Sequence, residues 1–250
     1  MNNILKLLPR NEKETNKDYA YRVIKYNIFN MNLVPGCTIN ENEFTEQLKI
    51  SRTPIHEALT ILKSEYLVDI FPQSGSKVSL INFQNIKDGV FLRNTVEPAI
   101  YKEIANHLTL EYSTKIEKNL EEMLKVVEID TEELEDPARL FSIDDEFHSI
   151  AYEAANRCLL WDAVKKVCTH FDRIRYAEAI FKKSNLRHVY DEHMMIYEYL
   201  LVGGIPNFDF GKYYDNHLTF FKGFFFQLYK DNPEYFVLEE RKADFAISKT

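Results

Sequence analysis

The sequence predicts a mainly α-helical fold in two parts: an N-terminal winged helix-turn-helix with a small β-hairpin wing, and a C-terminal all-helical antiparallel bundle of about six helices. Three observations lead to this prediction. Gly (7) and Pro (8) are rare among the 250 residues, and both are typical of turns. Residues 17–81 show short helical patterns followed by two strand patterns. From residue 84 onward the chain shows long amphipathic helical patterns and no strand signal.

The N-terminal elements follow from apolar spacing and from helix-start signals. Apolar residues recur at helical period over 17–32, and the VPG at 34–36 then breaks the chain. Asn40 can cap a second helix. After a break of a few residues, Ser51 is a good N-cap for a third helix, RTPIHEALTILKSEYL. The stretches VDIF, PQSG and SKVSLI then predict a strand, a turn and a strand.

This order of elements is typical of a helix-turn-helix followed by a wing. A generic small α+β domain could show the same order, so the pattern alone leaves both interpretations open. We expect one domain over 1–81 and a second, helical domain over 82–250. Its predicted helices cover 84–107, 110–127, 137–155, 157–182, 186–203 and 208–229. Residues 235–250 could form a seventh short helix or a loose tail.

Composition and charge restrict the class of protein. With 45% hydrophobic and 28% charged residues, the chain is typical of a soluble globular protein. No apolar run approaches the roughly 20 residues of a membrane span, and the N-terminus shows no signal peptide. We therefore expect a cytoplasmic protein without a membrane partner. The net charge is −8, but residues 1–80 carry 10 Lys and Arg against 9 Asp and Glu, so the acidity lies in the second part.

The three cysteines favour the same compartment. Cys37, Cys158 and Cys168 are odd in number and show no CxxC spacing. Free thiols in the cytosol are the simplest interpretation.

The stretch IDDEFHSI at 143–150 carries an acid and an imidazole four residues apart. At that spacing Asp144 and His148 lie on one face of a helix, one turn apart. The neighbouring positions Ile143, Phe147 and Ile150 are apolar, so this face should point toward the core. A buried hydrogen-bonded pair, a catalytic dyad and half of a metal site would all fit this pattern.

Motifs in both parts resemble the GntR family of bacterial transcription regulators. The first part shows VPG at 34–36, SRTP at 51–54, EAL at 57–59 and the wing residues Gly75 and Val78. The second part resembles the FadR-type (FCD) effector-binding domain of that family, on the motifs DDEFH at 144–148, EHMMIYEYLLVGG at 192–204 and NHL at 216–218. The resemblance implies a homodimeric regulator, more often a repressor, that binds an inverted repeat in double-stranded operator DNA and senses a small carboxylate metabolite.

The resemblance also implies a metal site. Four residues match the FCD metal motif: Asp144, His148, His193 and His217. Three imidazoles and one carboxylate suit a divalent metal such as Zn, Ni, Mn or Fe. Such a site is also similar to that of a metal-dependent hydrolase, in which a metal-bound water is the nucleophile. A metalloenzyme is therefore the alternative function.

Further residues are expected to contact the effector. Arg93 matches a family position that faces the effector cavity, where its guanidinium could hold a carboxylate through two hydrogen bonds. It could equally pair with Glu97, four residues along the same helix. Arg175, on the predicted helix 157–182, and Asn156, which could instead end the preceding helix, are further candidates.

The DNA contacts are expected from the third helix and the wing. Arg52 and Thr53 begin this helix, where side chains reach base edges, and His56 and Thr60 follow on the same side. Lys63 and the wing residue Lys77 could neutralise phosphates or could be plain solvated charges. The family usually has Arg at the position of His56 and often a basic residue at the position of Ser74, and both positions tend to contact DNA.

Overall fold

The computed structural model describes residues 4–129, 138–182, 187–203, 208–219 and 222–237. The N-terminal part consists of α1 (Asn16–Phe29), β1 (Thr38–Ile39), α2 (Glu41–Leu48), α3 (Arg52–Ser64), β2 (Val68–Phe71) and β3 (Gly75–Val78). The second part consists of α4 (Phe83–Ile104), α5 (Leu110–Val127), α6 (Ala138–Ala154), α7 (Cys158–Val167), α8 (Thr169–Lys182), α9 (Arg187–Val202), α10 (Phe210–Thr219), α11 (Lys222–Asp231) and a 3₁₀ turn at Pro233–Tyr235. The predicted fold class is confirmed. None of the described helices is both long and apolar enough to cross a membrane.

The wing contains a strand that the sequence pattern does not predict. β1 pairs antiparallel with β3, which pairs antiparallel with β2. Two residues are too few to show the alternation that marks a strand. Gly75 opens β3 at φ +88°, in the left-handed region that glycine adopts without strain. Asn40 caps α2 through its side chain, whereas Ser51 stands at the N-cap of α3 without a side-chain capping bond.

Two of the predicted long helices are each described as two shorter ones. The helix predicted over 157–182 is interrupted at Cys168, between α7 and α8. The break lies against α4, where a Cβ added at Gly89 would come within 3.2 Å of the Cys168 Cα. In place of the helix predicted over 208–229 stand α10 and α11, and residues 220–221 between them lie outside the described residues. The same holds for 238–250, most of the predicted tail.

The described residues form three buried hydrophobic clusters, and a short linker at residues 79–82 separates the first from the other two. The first forms around α1 and α3, and the other two lie among the helices from α4 onward. The linker is fixed to the second part. Arg173 Nη1 donates to the Ser79 carbonyl at 2.9 Å, and Ile81 exchanges backbone hydrogen bonds with Tyr235 and Val237. The orientation of the winged helix is therefore set by contacts with α8 and with the segment after α11.

Candidate metal centre and nucleic-acid interface

Three buried imidazoles from three helices meet inside the second part. His148 lies on α6, His193 on α9 and His217 on α10, and all three side chains are buried. One nitrogen of each ring lies within 4.8 Å of the others. The Nε2 atoms of His148 and His193 are 3.4 Å apart. The fold therefore brings together the three histidines that were predicted as metal ligands.

Asp144 adds a carboxylate to this cluster. Its Oδ1 lies 3.3 Å from His193 Nε2 and makes no hydrogen bond among the described residues, although it is buried. Its Oδ2 accepts a hydrogen bond from Arg175 Nη2 at 2.6 Å. A buried carboxylate oxygen without a partner is costly. A cation between this oxygen and the imidazoles would remove that cost, so the residues fit a metal ion.

Contacts behind the rings hold each imidazole through its Nδ1. Val189 O lies 2.6 Å from Nδ1 of His193, and Glu192 Oε2 lies 2.6 Å from Nδ1 of His217. His148 Nδ1 lies 2.6 Å from Tyr101 Oη and 3.1 Å from Glu97 Oε2. An oxygen acceptor at Nδ1 favours the proton on that nitrogen and leaves a lone pair on Nε2. This is the arrangement that metal-binding histidines usually show.

The local electrostatics also suit a divalent cation. Burial lowers the pKa of His217 to about 3 and lowers the pKa of His193 well below its ordinary value. Burial alone would raise the pKa of Asp144, but the Arg175 guanidinium outweighs it and holds this pKa well below the usual range. Neutral imidazoles at His193 and His217 and an ionised carboxylate at Asp144 are donors that such an ion requires.

The three predicted effector residues have different positions relative to the histidine cluster. Arg93 is buried and its Nε donates to Glu97 Oε1 at 2.7 Å, so the pairing four residues along the helix is present. Arg175 holds Asp144 and is itself at the cluster. Asn156 is exposed just after α6 with φ +56°, and it is not brought to the cluster. A residue in this conformation commonly ends a helix.

Sequence reasoning missed several residues around the cluster. Tyr101 Oη lies 2.6 Å from His148 Nδ1, and burial raises the pKa of Glu192, the partner of His217, to about 7. The Tyr152 hydroxyl is buried without a hydrogen-bond partner among the described residues. Glu192 is the acidic residue of the motif EHMM, directly before His193. No local spacing predicts its contact with His217, 25 residues away.

The predicted DNA-contacting residues are exposed on the first part. They are Arg52, Thr53, His56, Thr60 and Lys63 on α3, and Lys77 on β3. Glu41, the first residue of α2, contacts two of them. Its Oε2 accepts from Arg52 Nε at 2.7 Å, and its Oε1 lies 3.3 Å from His56 Nδ1.

Comparisons with known proteins agree with both halves of this arrangement. Residues 16–78 match the model of the bacterial regulatory proteins of the gntR family, and residues 88–203 match the FCD domain. The chain belongs to the GntR family, in the branch that carries an FCD domain. The GntR model covers the winged helix-turn-helix, and the FCD model covers Asp144, His148 and His193 but ends before His217.

Individual relatives support the same family. The chain is 30% identical over 156 residues to the HTH-type transcriptional repressor RspR of Escherichia coli, covering 62% of this chain and 66% of that protein. It is 29% identical over 161 residues to a regulator from an unstable DNA locus of Streptomyces ambofaciens, covering 64% and 65%. The chain thus spans just under two thirds of the length of these relatives. Both are regulators and not enzymes.

Solved structures show the same fold. Escherichia coli McbR/YncC superposes with a TM-score of 0.67 at 16% identity, and a GntR regulator from Rhodococcus sp. RHA1 with 0.64 at 16%. Each comparison covers 87% of this chain and 99% of the other.

Proposed function

We propose that this chain is a transcription repressor that binds an inverted repeat in operator DNA as a homodimer and releases it in response to a small carboxylate metabolite. The proposed sensing site is a divalent metal held by Asp144, His148, His193 and His217. The observation that carries this proposal is the buried Asp144 Oδ1, which makes no hydrogen bond among the described residues and lies 3.3 Å from His193 Nε2. The name of the relative RspR supports a repressor rather than an activator.

The surroundings of the cluster support an acidic effector. A bound divalent metal would offer coordination positions to a carboxylate or hydroxyl oxygen. Arg175 Nη1 makes no hydrogen bond among the described residues, although it lies 3.5 Å from Asp172 Oδ1, and the charge of Arg93 contributes to the lowered pKa of Asp144. Two guanidinium groups near the site can then pair with an anionic effector.

A metal-dependent hydrolase is the other function that such a donor set could serve. The relatives compared are regulators, and the metal-binding residues share a chain with a winged helix. These observations favour sensing over turnover. A sensed acid should raise the melting temperature of the protein and return chemically unchanged, whereas a hydrolase would convert it at a rate proportional to protein.

Replacement of a ligand tests the proposal directly. His193→Ala should lose most of its bound metal in elemental analysis, because one of three buried imidazoles is removed. The variant should still bind promoter DNA from its own locus in a gel-shift assay but no longer respond to hydroxy acids and sugar acids that act on the wild type. His107→Ala is the matched control, since His107 is exposed and outside the cluster.

Two results would contradict parts of the proposal. Wild-type protein that shifts no such DNA would remove the regulator function. Loss of metal with an intact response to the acid would make the metal structural and place the sensing site elsewhere.

A further inference from the structure

We propose that Glu41 determines the DNA specificity of this protein by positioning Arg52 and His56 for contact with bases. The inference rests on the proposed DNA-binding function and adds a residue that is not itself on the recognition helix α3. The observation behind it is that one carboxylate contacts two exposed side chains near the start of α3, those of Arg52 and His56.

The Glu41 carboxylate lies where it can restrict the motion of the Arg52 and His56 side chains. The Glu41 side chain is only 15% exposed, whereas those of Arg52 and His56 are 70% and 59% exposed. Glu41 is the first residue of α2, and Arg52 is the first residue of α3. The contact therefore ties together the starts of the two helices that form the helix-turn-helix. Long side chains that are otherwise free in solvent lose this freedom before DNA arrives, which lowers the entropic cost of binding.

The contact also selects which atoms of Arg52 can read a base. Arginine carries five N–H groups in a planar fork, on Nε, Nη1 and Nη2. Since Nε donates to Glu41 at 2.7 Å, the two terminal nitrogens remain for the DNA. Arg52 can then approach guanine O6 and N7 only with the end of its fork, not with the Nε edge. A guanine read in this way should be strongly preferred at one position of each half-site.

The same carboxylate fixes the role of His56. A carboxylate accepts hydrogen bonds and cannot donate them when ionised, so the Nδ1 atom that faces Glu41 Oε1 at 3.3 Å carries the proton. In a neutral imidazole the outward Nε2 is then an acceptor. It matches the amino group of cytosine or adenine rather than the O6 of guanine. An arginine at this position would prefer the O6 of guanine, because its side chain has only donors and no acceptor.

Three variants separate this role from a general effect of charge. Glu41→Ala removes both contacts. Glu41→Gln keeps an oxygen for Arg52 Nε but presents its amide N–H₂ to His56 Nδ1, which forces the proton of the imidazole to Nε2. Glu46→Ala is the matched control, because it removes the same charge from an exposed position on α2 that contacts neither side chain.

The experiment measures base preference rather than affinity alone. A pool of randomised DNA duplexes is bound to each variant at about pH 8, above the range in which imidazole ordinarily titrates, and the bound DNA is sequenced. Glu41→Ala should reduce the guanine preference at the Arg52 position by about 5- to 150-fold, the discrimination ordinarily given by one bidentate contact. Glu41→Gln should keep the preference for guanine at the Arg52 position. At the His56 position it should change the preferred base from one that donates a hydrogen bond to one that accepts a hydrogen bond.

A double variant shows whether Glu41 acts through its two partners. In an Arg52→Ala, His56→Ala background, the further change Glu41→Ala should leave the base preferences unchanged, although it is free to alter overall affinity. Circular dichroism and melting temperature establish that each variant is folded.

Three outcomes would overturn the inference. The first is a base profile of Glu41→Ala that matches that of Glu46→Ala. The second is an effect of Glu41→Ala that persists in the double background. The third is wild-type protein that enriches no sequence at all, which would overturn the proposed DNA-binding function as well and is thereby distinguishable from the first two.

Discussion

His170 is uncharged in the folded protein because of its immediate surroundings. The residue is 2% exposed, and its Nδ1 accepts a hydrogen bond from the Asn82 backbone at 3.1 Å. Burial, together with the nearby Arg173, lowers its pKa to about 3. In an unfolded chain imidazole titrates near pH 6.5. The unfolded state therefore binds more protons than the folded state between these values, and stability falls as the pH falls from about 6.5 toward 3.

We expect His170→Asn to remove this part of the pH dependence. The amide oxygen of Asn can accept the Asn82 hydrogen bond in place of Nδ1, but it does not titrate. As the pH falls from about 7 to 5, the free energy of unfolding of the variant should increase relative to that of the wild type by up to about 1.4 kcal/mol per pH unit. Urea denaturation at a series of pH values measures this difference. His107→Asn, at an exposed position, should follow the wild type, and parallel curves for His170→Asn and wild type would contradict the argument.

At the scale of elements, the sequence pattern predicts those helices whose bounds depend on residues close together in the chain. The helices over 110–127 and 186–203 follow from apolar period and agree with α5 and α9 to within a residue. The break at Cys168 does not follow from the apolar period; the residue lies against Gly89 of α4, which is far away in sequence. In the candidate site, too, local spacing predicts one part of the arrangement and not the rest. Spacing alone places Asp144 beside His148, but only the resemblance connected them with the other helices, and nothing local indicates the hydrogen bond from Arg175.

The segment after α11 offers a test at this scale. Phe236 is buried and packs edge-on against Phe225 and Tyr229, at ring distances of 5.5 and 5.3 Å. Its neighbour Val237 is 40% exposed. Phe236→Ala should therefore lower the free energy of unfolding by about 3–5 kcal/mol, and Val237→Ala by no more than about 0.5 kcal/mol. Chemical denaturation compares the two, and similar small losses would show that this segment does not stabilise the fold.

At the scale of the whole molecule, a chain of charged groups runs from the candidate metal centre to a groove that α1 of the winged helix also lines. Arg175 donates to Asp144 and lies 3.5 Å from Asp172 Oδ1. Lys165 Nζ donates to the other oxygen of Asp172 at 2.6 Å. Lys165 and Asp172 line a 620 Å³ groove that Tyr21, Lys25 and Phe29 of α1 also line. A ligand that changes the position of Asp144 can thus alter contacts at the boundary between the two parts.

Asp172→Asn tests whether this chain of groups carries the response. A ligand shifts an equilibrium only by its differential affinity for the two arrangements, so an interrupted route should leave binding at the metal centre intact and remove its effect on DNA. We expect unchanged metal content, and an acid-induced change in operator Kd that falls from the about 5- to 150-fold typical of allosteric coupling to nearly none. Asp162→Asn, at an exposed position on α7, should respond like the wild type. A full response in Asp172→Asn would exclude this route, whereas loss of metal would show that Asp172 supports Asp144 through Arg175 and acts on the site itself.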